Sequence, residues 1–436
     1  MPSESVSLSG HIIDSGALTK ILDEIIQLGA TYELSGLDIG TRHEDTSSAR
    51  ITITAESDGQ LMKVIERLRQ HGANPDTVED AQLATADKDG ALPEGFYSST
   101  NLETEVRVDG RWLRVVHPEM DCGVVVEDGE ARTIAMAEVK KGMRIVMRGL
   151  GIRVIPLQAP RGTEKQAFEF MSSDVSSEKP KALLVDQVAA QMRNVKESGR
   201  RILWVAGPAL VHTGAAPDLC ALIRAGYVNA FFSGNGVAAH DIEANIFGTS
   251  LGVYLNEGTA AEHGHEHHIR AINEVRRHGS FAAAIDAGLF SDGIVWHLVK
   301  HGCDYLFGGS VRDDGPLPEV ENDMPSVQRR LREIIWGQRP DGSGGDDLVG
   351  YCIVVGSMLH GIATGNCLPA SVPLVCVDIN PATVTKLMDR GSWQSTGIIT
   401  DVGLFVRELA LRLAPEEVRE PSDEAAQRRA GAHTRR

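Results

Sequence analysis

The chain has 436 residues, too many for one ordinary core, and its 42% hydrophobic content and mean hydropathy of -0.13 fit two or three globular domains. A formal net charge of -17 argues against a general nucleic-acid binder, since phosphate neutralisation needs a basic surface. No apolar run reaches the roughly 18 residues of a membrane span, and no basic-then-apolar leader is visible. Six scattered cysteines without a CxxC read as buried thiols, so a cytoplasmic, reduced protein is expected.

An α/β fold in three parts is expected along the chain. Residues 1–75 read as a ferredoxin-like βαββα module. A strand over 6–13 leads to apolar residues at helical spacing (Leu18, Ile21, Leu22, Ile25). Strands at 32–39 and 49–55 and a helix carrying Leu61, Val64, Ile65 and Leu68 follow. Residues 76–94, polar and acidic, read as a linker. Short β-rich segments punctuated by Asp109-Gly110 and Asp128-Gly129, both hairpin signals, give a small antiparallel β domain over 95–165. From 175 to 414, strands and helices alternate, which predicts a Rossmann-like domain with a mostly parallel sheet. Candidate strands are 202–206, 228–232, 252–255, 305–307, 352–355, 374–377 and 398–399. The stretch 337–347 reads as a mobile loop, and 415–436 as a disordered tail.

In such a sheet, ligands bind beyond the carboxyl ends of the strands, so the loops there are the informative ones. After 228–232 comes a G-x-G-x-x-A pattern at Gly234, Gly236 and Ala239, with Glu257 further on as a ribose candidate. The other loops carry Gly207 to Gly214, Gly308 to Gly315, a helical start leading to Ala363-Thr364-Gly365-Asn366, Asp378-Ile379-Asn380 and Thr400-Asp401-Val402-Gly403. Asp and Asn can meet ribose hydroxyls and backbone amides can hold phosphates, although the same residues also cap helices.

Taken together, these segments resemble the conserved-domain family named after lysine–ketoglutarate reductase/saccharopine dehydrogenase, and within it the archaeal-type, NAD-dependent ornithine cyclodeaminases. A similar domain forms the C-terminal part of cyanobacterial arginine dihydrolase/ornithine cyclodeaminases. The resemblance runs from about Leu8 to Leu413 and includes His117-Pro118-Glu119-Met120-Asp121-Cys122, the Gly207–Gly214 segment and Arg312-Asp313-Asp314-Gly315-Pro316. It implies an NAD domain similar to that of deoxyhypusine synthase. NAD would be held at Asn235, Gly236, Asp314, Ala363, Thr364, Gly365, Asn366, Asp378, Asp401 and Val402. It also implies a homo-oligomer, dimer or tetramer.

Cyclodeamination of ornithine needs a cation for the α-carboxylate, a carboxylate for the distal ammonium and a base near the α-amine. The candidates are His117, Glu119 and Cys122, with His117 and Glu119 sharing a face if the segment is a strand, and His212 as an alternative base. Solvated charge at a turn and simple packing compete with those roles. His263, His265, His267 and His268 invite a metal reading, but without flanking Cys they fit a solvated helix start better, and no metal is expected. Two alternatives stay open. One is another NAD-dependent enzyme on a basic amino acid, a lysine cyclodeaminase or saccharopine-type dehydrogenase. The other is a non-catalytic NAD-binding amino-acid sensor.

Overall fold

Period-two alternation sets the first sheet of the computed structural model. It describes residues 1–13, 16–42, 45–69, 71–155, 181–255, 257–313, 315–337, 347–390 and 395–418. The chain divides into two compact units, Met1–Ser172 with Asn366–Ser371, and Ser173–Gly365 with Val372–Arg436.

In the first unit, Val6 and Leu8 of β1 (Ser3–Gly10) are buried with Ala49, Ile51 and Ile53 of β3 (Ser47–Thr54). With β2 (Thr31–Asp38) and β4 (Asn74–Pro75) they form an antiparallel sheet in the order β2-β3-β1-β4. Helices Ala17–Gln27 and Asp58–Arg69 bring Ile21, Ile25, Val64, Ile65 and Leu68 into that core at i, i+3/i+4 spacing. This is the expected ferredoxin-like arrangement, completed by β4, a strand too short for periodicity to reveal.

The second sheet joins β5 (Leu83–Thr85), β6 (Glu103–Val108), β7 (Arg111–Val116), β8 (Gly123–Glu127), β9 (Glu130–Ile134), β10 (Arg144–Val146) and β11 (Ile152–Ile155), in the order β11-β6-β7-β9-β8-β10-β5. All its pairs are antiparallel except β7 with β9. Asp109-Gly110 and Asp128-Gly129 turn β6 into β7 and β8 into β9 with positive φ at both residues (50° and 77°, 51° and 82°), the left-handed pair a two-residue hairpin requires. The linker reading of 76–94 is corrected: β5 pairs with β10, so part of this acidic stretch belongs to the sheet. Asn74 ties the two sheets, its Nδ2 donating to Val154 O and its Oδ1 accepting from Val154 N, both at 2.8 Å.

In the second unit, β12 (Ile202–Ala206), β13 (Ala230–Gly234), β16 (Asp304–Gly308), β17 (Val320–Glu321), β18 (Tyr351–Val355), β19 (Leu374–Asp378) and β20 (Ser395–Ile399) make a wholly parallel sheet, ordered β17-β16-β13-β12-β18-β19-β20. A hairpin of β14 (Thr249–Ser250) and β15 (Val253–Tyr254) stands apart from it. Leaving out β17, the order is the Rossmann sequence 3-2-1-4-5-6, with its reversal between β12 and β18. Every residue of β12 and β18 is buried, which is why these strands read as apolar runs without alternation.

One expected strand is corrected. Residues 252–255 do not join the parallel sheet: Val253 and Tyr254 pair with Ser250 and Thr249 in the hairpin, and Val253 is exposed. The crossover from β13 therefore closes at β16, and Glu257, exposed beyond the hairpin, loses the sequence position that suggested a ribose role. No helix among the described residues is long and apolar enough to cross a membrane. All six cysteines are free thiols, five of them buried. Of the expected mobile loop and disordered tail, 338–346 and 419–436 lie outside the described residues.

Candidate cofactor and active site

The reversal of strand order leaves a crevice beyond the carboxyl ends of β12 and β18, where dinucleotides bind in sheets of this order. The two loops there touch backbone to backbone. Gly207 N donates to Val355 O at 2.9 Å, and a Cβ on Gly207 would come within 1.8 Å of Gly356 O, so only glycine fits. Beside them, helix Asn235–Phe247 starts at Gly234 with no side-chain cap, leaving its first amides to a ligand or to water.

The G-x-G-x-x-A pattern works differently from its sequence reading. Gly234 closes β13 with an ordinary φ of -103°, and Gly236 lies inside the helix. Added Cβ atoms would meet His360 Cε1 at 3.0 Å and Pro208 Cγ at 3.3 Å respectively. These glycines permit close packing. They do not form the tight first-strand turn of a Rossmann fingerprint, whose position here, after β12, belongs to Gly207.

The expected NAD residues divide. Asn235 is fixed within the protein: its Nδ2 donates to Asp313 Oδ1 at 2.9 Å and its Oδ1 accepts from Leu317 N at 3.1 Å, so its side chain holds the loop after β16. Asp314 lies outside the described residues. Asp378 accepts from Asn380 N, and Asp401 caps helix Val402–Leu413 by accepting from Leu404 N, so one oxygen of each is engaged locally. Val402 is buried. Ala363, Thr364, Gly365 and Asn366 are not in the loop after β18, which is Gly356-Ser357. They occupy the later turns of helix Met358–Cys367, where Thr364 Oγ1 donates to His360 O. Asn366 groups with the first unit. Its O accepts from Met120 N at 2.8 Å, its Nδ2 donates to Asp121 Oδ2 at 3.1 Å, and its Oδ1 is buried without a hydrogen-bond partner.

His117, Glu119 and Cys122 also need a correction. They lie in the loop between β7 and β8, not on a strand, so the shared-face argument fails. The loop is bent by positive φ at His117 (55°) and Asp121 (61°), a conformation non-glycine residues seldom adopt. Ser99 stitches it: its Oγ donates to Glu119 O at 2.7 Å and accepts from Cys122 N at 3.1 Å. Thr133 Oγ1 donates to His117 O at 2.6 Å. Glu119 and Cys122 are buried, and burial, with Arg132, pushes the His117 imidazole below its ordinary pKa.

His212 does stand at the carboxyl edge, in the short helix Ala209–His212 after β12. Its Nδ1 lies 2.7 Å from Ser250 Oγ, and burial followed by the neighbouring His240 keeps it below the ordinary histidine pKa. The rings of His212 and His240 meet edge-on at 4.8 Å and 63°. His240 Nδ1 is 2.8 Å from the carboxylate of fully buried Glu243. His360, half of a 3.2 Å contact with Ser357 Oγ, packs on Phe232. The sequence reading gave His240, Glu243 and His360 no role, although the i, i+3 spacing of the first two on a helix was a usable signal.

The cluster at 263–268 is split. His263 and His265 are exposed, whereas His267 stacks on Phe247 at 4.6 Å and contacts Thr249. Cys220, Asp292 and His297 place donor atoms within 4.8 Å of one another. Arg224 Nη1, however, sits 3.3 Å from His297 Nε2, and its guanidinium pairs with Glu417, so the group behaves as an ion-pair network around an arginine.

Three family models cover the chain. Residues 186–409 match the Rossmann-fold C-terminal region of ArgZ-like arginine dihydrolases, 103–185 the first region of the same C-terminal part, and 3–102 the conserved region of the LOR/SDH bifunctional enzyme. An ornithine cyclodeaminase of Methanothermobacter thermautotrophicus is 43% identical over 408 residues, 93% of this chain and 96% of that protein. The apo structure of ArgZ, an arginine dihydrolase of cyanobacteria, is 35% identical with a TM-score of 0.80, covering 95% of this chain and 58% of that one. The ternary complex of AgrE with ornithine and NAD+ is 37% identical with a TM-score of 0.50, covering 95% and 59%. The chain thus spans somewhat over half of these longer cyanobacterial proteins and nearly all of the archaeal one. The succession of three sheets, the strand-order reversal in the last of them and this end-to-end similarity have one meaning: the chain belongs to the family of archaeal ornithine cyclodeaminases and the C-terminal part of ArgZ-like arginine dihydrolases.

Proposed function

We propose that the chain is an NAD-dependent ornithine cyclodeaminase, converting L-ornithine to L-proline and ammonia. The observation that carries this reading is the 43% identity across nearly the whole length of an archaeal ornithine cyclodeaminase. NAD, when bound, supplies a reversible hydride acceptor for the substrate Cα, so the overall conversion carries no net oxidation. The residues present fit that group. The glycine contact at Gly207 and Gly356 makes room for a close backbone approach, and the uncapped start of helix Asn235–Phe247 suits a pyrophosphate. We assign the second carboxylate oxygens of Asp378 and Asp401 to ribose hydroxyls. Asp314 and residues 363–366 complete the set on family resemblance.

His212 is our assignment for the group that takes the α-ammonium proton. Its lowered pKa keeps the imidazole neutral near pH 7, and the Ser250 contact at Nδ1 leaves Nε2 for the substrate. His117, Glu119 and Cys122 are retained as candidate substrate contacts, with buried Glu119 as the candidate partner of the distal ammonium. We further assign the protein to the cytoplasm as a homo-oligomer, and take 1–75, 95–165 and 175–414 as its functional divisions; light scattering and limited proteolysis test the last two assignments.

Incubation with ornithine deuterated at Cα, with and without added NAD+, tests the function. Proline that keeps the deuterium, formed without net NADH, is the expected result. NADH accumulating on lysine or another amino acid, with no proline from ornithine, would make the protein a plain dehydrogenase. Bound NAD with no turnover of any basic amino acid would leave a sensor.

A further inference from the structure

The groups behind His212 form a continuous polar chain with defined proton positions. Glu243, fully buried, accepts from Thr249 Oγ1 (2.9 Å), Gly252 N (3.0 Å) and Leu251 N (3.2 Å), and faces His240 Nδ1 at 2.8 Å. Burial pushes its carboxyl up, but the hydrogen bonds from His240, Gly252 and Thr249 outweigh that, and the net shift is downward. An ionised carboxylate only accepts, so His240 must be the donor in this contact, through a proton on Nδ1. The same logic runs one step further. Thr249 has a single O–H, which goes to Glu243, so His267 Nδ1, 2.8 Å from Thr249 Oγ1, must be the donor there.

The His240 ring then meets the His212 ring in an edge-to-face contact, and Nδ1 of His212 lies 2.7 Å from Oγ of buried Ser250. The titratable groups facing this arrangement are Glu243 from the same helix, His212 from the helix after β12, and His267 and His268 from helix His267–His278, the last 6.1 Å from His240. Two donating ring nitrogens, Nδ1 of His240 and Nδ1 of His267, are thus set by a single carboxylate that three donors outside the imidazole hold in place.

We propose that Glu243 and His240 are positioning residues for His212, fixing the orientation of its ring and presenting its outer nitrogen to the substrate amine. This rests on the reading of His212 as the proton acceptor. Neither residue touches the reacting atoms; they act through His212 alone.

The two residues pull the proton affinity of His212 in opposite directions, because a charge on His240 opposes protonation of its neighbour and the Glu243 anion favours it. His240→Gln should therefore move the acid limb of the kcat/KM profile for ornithine to higher pH, and Glu243→Gln should move it to lower pH. Each should lower kcat about tenfold while leaving KM for NAD within about twofold. Opposite displacements are the expected result; limbs that stay put, or move together, overturn the proposal. Should Glu243→Gln fail to fold, His240→Gln and the wild-type protein carry the test. Nitrogen-15 imidazole spectra of the wild type should show His240 and His267 protonated on Nδ1, and a His240 ring protonated mainly on Nε2 overturns the proposal. If the wild type makes no proline, the functional reading fails, and the same spectra still decide whether the carboxylate sets these tautomers.

Discussion

The loop between β7 and β8 and the carboxyl edge of the parallel sheet both collect His, Asp and Glu, yet different forces hold them. The loop is stitched through backbone atoms, Ser99 bonding Glu119 O and Cys122 N, and its turns put non-glycine residues at positive φ. The edge is held by glycines that let two backbones touch and by buried carboxylates that accept from helix and hairpin amides. Substitutions should therefore fail for different reasons in the two places: lack of space at the edge, and loss of hydrogen bonds in the loop.

The largest effect should come from Gly207→Ala. A methyl group 1.8 Å from Gly356 O cannot be accommodated without moving one of the two central strands. Loss of more than about 4 kcal/mol, or failure to fold, is expected in denaturant melts. A variant that melts within about 1 kcal/mol of wild type would show that space is not what constrains the edge.

Asp241 sharpens the same side of the comparison. Its carboxylate accepts from Ile294 N and Val295 N at the start of helix Ile294–Lys300, yet burial pushes its carboxyl up to about 7. The folded pKa lies above the ordinary 3.8, so the folded state holds the proton more tightly. That contribution, up to roughly 4 kcal/mol, is complete below about pH 4 and is lost as pH rises through about 7. Asp241→Asn should remove it. Thermal melts from pH 5 to pH 8 should thus fall more steeply for wild type than for the variant, and parallel curves would refute the assignment.

In the loop, Ser99→Ala removes a buried hydroxyl that donates once and accepts once, and should cost about 1–3 kcal/mol. Activity should fall further than stability if 117–122 meets substrate; equal loss of both would make the loop scaffold only. The smallest expected effect is His117→Gly, which relieves a φ of 55° and should raise stability by up to about 1 kcal/mol while lowering turnover of ornithine. Unchanged turnover would remove His117 from the candidates.

Legibility in the sequence followed the same divide. Where periodicity or space writes itself into residue type, the reading succeeded. The ferredoxin-like helices, the Asp-Gly hairpins and the buried strands β12 and β18 all carry such marks. The reading failed where structure depends on something residue type does not record. A two-residue β4 has no period, and His117 at positive φ looks like any other histidine. Residues 252–255 are apolar enough for a buried strand but form a hairpin, because periodicity cannot choose a strand's partner. Residues 363–366 fell inside a helix because Gly365 and Asn366 are ordinary loop residues that tertiary context overrode. At the site, the Asn235 side chain holds Asp313 and Leu317 N, partners far away in sequence that no local pattern announces. The His240–Glu243 pair lies in the same glycine-rich stretch, and its i, i+3 spacing was the available signal.

The meeting of Gly207 with Gly356 has an evolutionary consequence. Gly207 cannot gain a side chain because the main-chain carbonyl of Gly356 stands in its way, and Gly356 itself sits at a φ of 58°, a conformation that favours glycine. Lineages of this family are therefore expected to keep both residues through changes of substrate, cofactor preference or even loss of catalysis. Invariance at these two sites would then record the history of a fold, and would be a poor witness to the chemistry performed beside it.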